Sequence, residues 1–120
     1  MAFQSFEDLD VWKRSCNLAV FVYQVTRESR DFGMKDQMQR AAVSIASNIA
    51  EGCEREGKDF ERFLRIAKGS AAELRTQGYI AAKVEMINQQ NMKYLVEETK
   101  GIARMLTRLT QSINSNSSKS

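Results

Sequence analysis

Residues 37–77, QMQRAAVSIASNIAEGCEREGKDFERFLRIAKGSAAELRTQ, carry two amphipathic periods interrupted at Gly57, and this pattern leaves few folds open. In the first period Met38, Ala42, Ile45, Ile49 and Cys53 recur at spacings of three and four, which puts them on one helical face. In the second, Phe60, Phe63, Ala67, Ser70/Ala71, Leu74, Gly78 and Ala81 do the same. Alanine, serine and glycine stand wherever two helices would have to approach closely. The stretch predicts two helices packed on one another, with further helices laid against them.

The flanks supply those helices. A first helix is expected at about 7–29, capped by Ser5 or Asp8 and preceded by an arm, residues 1–6, from which Phe3 and Phe6 can tuck against the bundle. It carries one apolar stripe of Leu9, Trp12, Cys16, Ala19, Tyr23 and Thr26. A second stripe of Val11, Leu18, Val22 and Val25 lies beside it, with Phe21 further round. That is more apolar circumference than one core face needs, so the helix is either deeply buried or partly turned toward another subunit.

Ser29 to Gly33 forms a polar break, and the second helix is expected at about 34–55. Asp59 can cap a third at about 59–84, and Asn88 to Asn91 introduces a fourth at about 89–113. In this last helix Met92, Leu95, Thr99, Ile102, Leu106, Leu109 and Ile113 keep an unbroken three-four spacing, as a coiled-coil-like seam requires. Residues 114–120 contain no apolar side chain and are expected to be a disordered tail. Residues 7–113 thus predict an all-α domain, an antiparallel up-down-up-down four-helix bundle. The absence of proline and the six glycines in 120 residues agree with it.

The chain has no histidine, which removes the usual general base and the nucleophile–histidine arrangements. Neither Glu51 with Glu73 nor the two cysteines have metal-ligand spacing, and no glycine loop has the signature that cradles phosphate. No enzyme, cofactor, metal or small-molecule substrate is expected. Cys16 and Cys53 occupy apolar helix positions and read as buried free thiols. No stretch resembles a signal peptide or approaches the ~18 apolar residues of a membrane span, so a cytoplasmic protein without a membrane partner is expected.

Three polar features remain. Gln37, Arg40, Ser44, Ser47/Asn48, Glu51 and Arg55 form a stripe opposite the second helix's core face. It is either a solvated surface or a subunit contact using Arg40 and Glu51 as paired charges. Gly69 to Ala72 reads as a site of close helix packing, and Glu73 beside it as a half-buried carboxylate paired with an arginine from another helix. Finally, Arg55, Lys58, Arg62 and Arg65 recur at spacings of three and four, with Glu54, Asp59 and Glu61 among them. They make either intrahelical ion pairs or a phosphate-binding patch, to which Lys93, Lys100, Arg104 and Arg108 can add. A net charge of +3 and a pI near 9.0 leave both open.

Several motifs carry a family resemblance over about residues 6–110. They are Leu9-Asp10-Val11-Trp12-Lys13, Phe32-Gly33-Met34 with Gln37, and Arg40-Ala41-Ala42-Val43-Ser44-Ile45. Ser47-Asn48-Ile49-Ala50-Glu51-Gly52 and Phe63-Leu64-Arg65-Ile66-Ala67-Lys68-Gly69-Ser70 with Glu73-Leu74 complete the set. In these the chain resembles the small bacterial proteins encoded within intervening sequences of 23S rRNA genes, also called S23 ribosomal proteins. It departs from their pattern at Ala46, where proline is common, and at Gln39, where a second arginine is frequent. Residues 27–31 also lack the proline often found before the Phe-Gly pair. The resemblance implies a four-helix bundle that assembles as a homo-oligomer, a pentamer foremost; with no catalytic groups in the chain, the role expected of it is a non-enzymatic scaffold for a protein partner. A distant similarity to accessory proteins of diversity-generating retroelements implies the alternative, an RNA-binding accessory acting with a reverse transcriptase through a basic surface.

Overall fold

A computed structural model of the chain describes residues 5–55 and 57–119, with side chains at all of these except 57, 58 and 116–119. Phe3 and most of the expected arm lie outside them. Four helices follow one another: α1 (Asp10–Thr26), α2 (Phe32–Arg55), α3 (Gly57–Lys83) and α4 (Gln89–Lys119). A 3₁₀ turn at Phe6–Asp8 precedes them, and no strand occurs among the described residues.

Contacts between the helices run in opposite senses along the chain. Arg14 of α1 reaches Glu98 of α4, whereas Phe21, two turns further on, meets Tyr94. Lys68 of α3 bonds Thr107 of α4, and Gly78 lies against Leu95. Ser44 of α2 bonds Ser70 of α3, and Gly52 lies against Phe63. One number rises as the other falls, so the bundle is up-down-up-down, a rod of 51 × 19 × 19 Å.

Local chemistry sets the helix ends. Ser5 accepts a hydrogen bond from the Glu7 N–H and so caps the 3₁₀ turn, while α1 starts after Leu9 with no side-chain cap and ends at Thr26, short of the expected 29. Phe6 packs edge-on against Trp12, with ring centroids 5.2 Å apart. Asp31 accepts from the Met34 N–H and starts α2 two residues early. Asn88 accepts from the Asn91 N–H at the head of α4. Asp59 is not a cap: α3 has already begun at Gly57, and Asp59 faces Arg55 and Arg62 instead.

At the end of α3 the Met86 N–H bonds the Ala81 carbonyl and the Glu85 N–H bonds that of Ala82. This is a Schellman closure, and it places Glu85 in the left-handed region at φ 64°. The fourth helix runs past the expected end at 113, so the stretch expected as a disordered tail continues the helix to Lys119. Extending a helix costs far less than starting one, so it can outlast its apolar face.

The core comprises the predicted faces of α2, α3 and α4, including Met38, Ile45, Ile49, Phe60, Leu74, Leu95, Ile102 and Leu106. On α1 the two stripes exchange roles. Val11, Leu18 and Val22 are buried together with Ser15 and Thr26, whereas Trp12, Cys16 and Ala19 are half-buried and Tyr23 is exposed. Ser15 and Thr26 are tolerated inside because each hydroxyl donates to the carbonyl one turn earlier, Val11 and Val22, at 2.7 Å.

Glycine serves close approach at three points, one of them Gly101, against which the Arg14 guanidinium lies. A Cβ on Gly78 would lie 2.7 Å from Leu95 Cδ2, and one on Gly52 2.9 Å from Phe63 Cβ. Gly69, expected at a helix contact, instead faces open space.

Candidate functional site

Arg55, Arg62 and Arg65, the described members of the expected basic stripe, are each matched with a carboxylate. Arg55 Nε lies 2.9 Å from Glu51, and its other end faces Asp59 at 3.9 Å. Arg62 stands 3.7 Å from Asp59, and Arg65 bonds Glu61 at 3.0 Å. The guanidinium carbons of Arg55 and Arg62 also lie 5.2 and 4.8 Å from the Phe63 ring centroid. The side chain of Lys58 lies outside the described residues. The stripe is therefore a charge-balanced clasp over the α2–α3 turn.

The other sequence-derived polar positions fall as follows. Within the subunit Arg40 pairs with Asp36, one turn back, and Glu51 with Arg55. Asn48 donates to the Ser44 carbonyl at 2.8 Å and to its hydroxyl at 2.9 Å, and that hydroxyl meets Ser70 of α3. Asn48 thus steadies a polar link between α2 and α3. Glu73 is exposed and has no ion pair among the described residues, contrary to the half-buried pairing expected for it. The half-buried interhelical carboxylate is Glu98, held by Arg14 through two bonds of 2.9 and 3.0 Å. The hydrogen bond to Glu98, opposed by partial burial, holds the Arg14 pKa above its usual value. In the sequence both residues stand at the edge of their helix's apolar stripe, and nothing in one chain marks them as partners.

Two larger surfaces flank the bundle. Arg14 and Phe21 turn one side of α1 toward α4, which leaves Trp12, Cys16, Ala19 and Tyr23 on the other side. Gln39 of α2 donates to Thr26 of α1 and so places Gln39, Val43, Ala46 and Ala50 along that same edge. With Val20 56% exposed, Tyr23 47% and Val43 41%, the α1–α2 flank is an apolar surface bordered by small residues.

On the opposite side a groove of about 570 Å³ runs between α3 and α4. Lys68, Arg75, Lys100, Arg104 and Arg108 line it, with Ala103 and Thr107, and no carboxylate is among the lining residues. None of the five cations has an ion pair among the described residues. Lys68 donates to Thr107 across the groove at 2.8 Å. The signal was present on α3 as Lys68, Ala72, Arg75 and Tyr79 at spacings of four, three and four, a stripe overshadowed by the denser charges near the turn.

Both cysteines are free and half-buried. Burial raises the Cys16 thiol pKa and, with a smaller contribution from the charge of Glu54, pushes that of Cys53 up to about 11. No group of three or more potential metal ligands occurs among the described residues, and no helix among them is long and apolar enough to cross a membrane.

The family model of the 23S rRNA-intervening sequence protein matches residues 7–108, nearly the whole bundle. The chain belongs to this family. A crystal structure of a protein with unknown function from the S23 ribosomal protein family of Bacteroides thetaiotaomicron superposes with a TM-score of 0.78 at 25% identity. The alignment covers 83% of this chain and 97% of that one. No curated protein matches. Membership of the intervening-sequence family thus rests on both sequence and fold.

Proposed function

We propose that this intervening-sequence protein is a non-enzymatic homo-oligomer that acts as an interaction scaffold, with the α1–α2 flank as its subunit contact. The observation that carries the reading is the exposure of Val20, Tyr23 and Val43 on one edge. The half-buried Trp12, Cys16 and Ala19 widen that surface, and the short side chains of Ala46 and Ala50 let a second helix come close. The ring expected from the family resemblance, a pentamer, repeats this contact around one axis. Because α1–α2 and α3–α4 are opposite sides of the rod, such an assembly leaves the α3–α4 side free for a partner. The absence of histidine from the chain supports the non-enzymatic part.

Light scattering after size exclusion tests the assembly. The native chain should run as an oligomer at micromolar concentration, and V20E with V43E should run as a folded monomer with unchanged helical circular dichroism. A monomeric native chain would overturn the proposal. So would an oligomer indifferent to both changes.

A further inference from the structure

We infer that the α3–α4 groove binds single-stranded nucleic acid, seating the phosphate backbone on its five cations and a base on Tyr79. The inference is independent of the assembly, because the groove is complete within one subunit. It also places the binding surface away from the arginine stripe at the α2–α3 turn, where carboxylates already occupy Arg55, Arg62 and Arg65.

Lys100, Arg104 and Arg108 recur every four residues on α4, and at 1.5 Å per residue they span about 12 Å. Lys68 and Arg75 face them from α3 over a similar length. Five positive charges with no carboxylate among the lining residues repel one another, and this costs stability. A polyanion of comparable density relieves the repulsion. A stacked nucleic-acid strand carries one phosphate per about 3.4 Å, so three or four phosphates fit the groove. Carboxylates on a protein helix lie further apart, about one per turn on a given face.

The second observation is aromatic. Tyr79 lies one turn beyond Arg75 on the same flank of α3 and is 49% exposed. The contact of neighbouring Gly78 with Leu95 puts Tyr79 level with the stretch of α4 before Lys100. It therefore stands beyond the end of the cationic lining as an exposed aromatic side chain. A basic groove that follows the backbone, with an aromatic ring for a base to stack on, is the arrangement that takes single strands without reading their sequence. A duplex keeps its bases stacked inside and cannot use the ring.

Fluorescence anisotropy of a labelled twelve-nucleotide oligouridine tests the inference, with the DNA counterpart, a duplex of equal length, inorganic polyphosphate and polyglutamate as competitors. Binding should weaken with salt, log K falling with log salt at a slope of about −2 to −3 for three or four phosphates. R75A with R104A should abolish binding, both side chains being on the surface, and circular dichroism will verify the fold. R55A with R62A should leave it intact. Y79A should weaken the oligouridine by about 5- to 150-fold and polyphosphate hardly at all. Absence of binding at low salt would overturn the inference, as would affinity unchanged in R75A/R104A. Equal or tighter binding of duplex or polyglutamate would overturn it too, and indifference to Y79A would reduce the groove to a generic polyanion site and refute the stacking.

Discussion

Arg14 holds Glu98 with two parallel N–H···O bonds, 2.9 and 3.0 Å long, across the α1–α4 seam. Forked pairing of this kind is the strong form of the ion pair, and lysine cannot reproduce it. Both residues retain some contact with solvent, which keeps the effect below that of a fully buried pair. R14A and E98A should each lower unfolding free energy by about 1 kcal/mol, and R14K should recover only part of that loss. The double variant should lose less than the sum of the singles when the cycle is measured by urea unfolding.

Two glycines of one helix should respond in opposite directions. Gly69 lies mid-helix, and an added Cβ would meet nothing within 4 Å beyond its own stretch of helix, so G69A should stabilise by about 0.5–1 kcal/mol. Gly78 meets the fully buried Leu95, and a Cβ there would stand 2.7 Å from that side chain. G78A should therefore destabilise by about 1–3 kcal/mol despite its better helix propensity. Thermal unfolding of the two variants side by side checks the contrast.

Glu85 occupies a left-handed position, φ 64°, that glycine adopts freely. E85G should raise stability by about 1 kcal/mol while keeping both closing hydrogen bonds of the Schellman turn. Denaturant midpoints of the native chain and E85G measure it.

The Cys53 thiol, raised to about 11, gives a signed dependence on pH. Its neutral form is favoured in the folded chain more than in the unfolded one. The associated stability is fully present below the ordinary thiol pKa and is lost as pH rises through about 11. Stability of the native chain should therefore decline more steeply between about pH 9 and 11 than that of C53A, in which this group cannot titrate.

Most of the architecture was legible because it depends on periodicity. The seam of α4 and most of the faces of α2 and α3 follow from spacing alone, although on α3 Leu64 is buried and the expected Phe63 only half-buried. What failed depended on choices between equals. Val11, Leu18 and Val22 form a helical stripe no more regular than Trp12, Cys16 and Tyr23, and only the neighbouring helices decide which one is buried. Arg14 and Glu98 could not be paired, since their approach depends on how two helices distant in the chain are set against each other. Of the two readings of the basic stripe, intrahelical ion pairs prevail, for a physical reason. Arginines three and four residues from Asp59 and Glu61 are neutralised within their own helix, whereas the isolated Lys68 and Arg75 gain their density only when α4 is laid alongside.

The closeness of α2 and α3 in the sequence bears on how the chain folds. These two helices make the most extensive contact in the bundle. The α1–α2 and α3–α4 contacts likewise join neighbours in sequence. The exception is the α1–α4 seam, where Arg14 and Glu98 lie 84 residues apart. Such a topology should fold fast, with the α2–α3 hairpin forming early and the first and last helices coming together late in stopped-flow refolding. Changes at Arg14 or Glu98 then act on the rate of unfolding and leave the rate of folding nearly untouched.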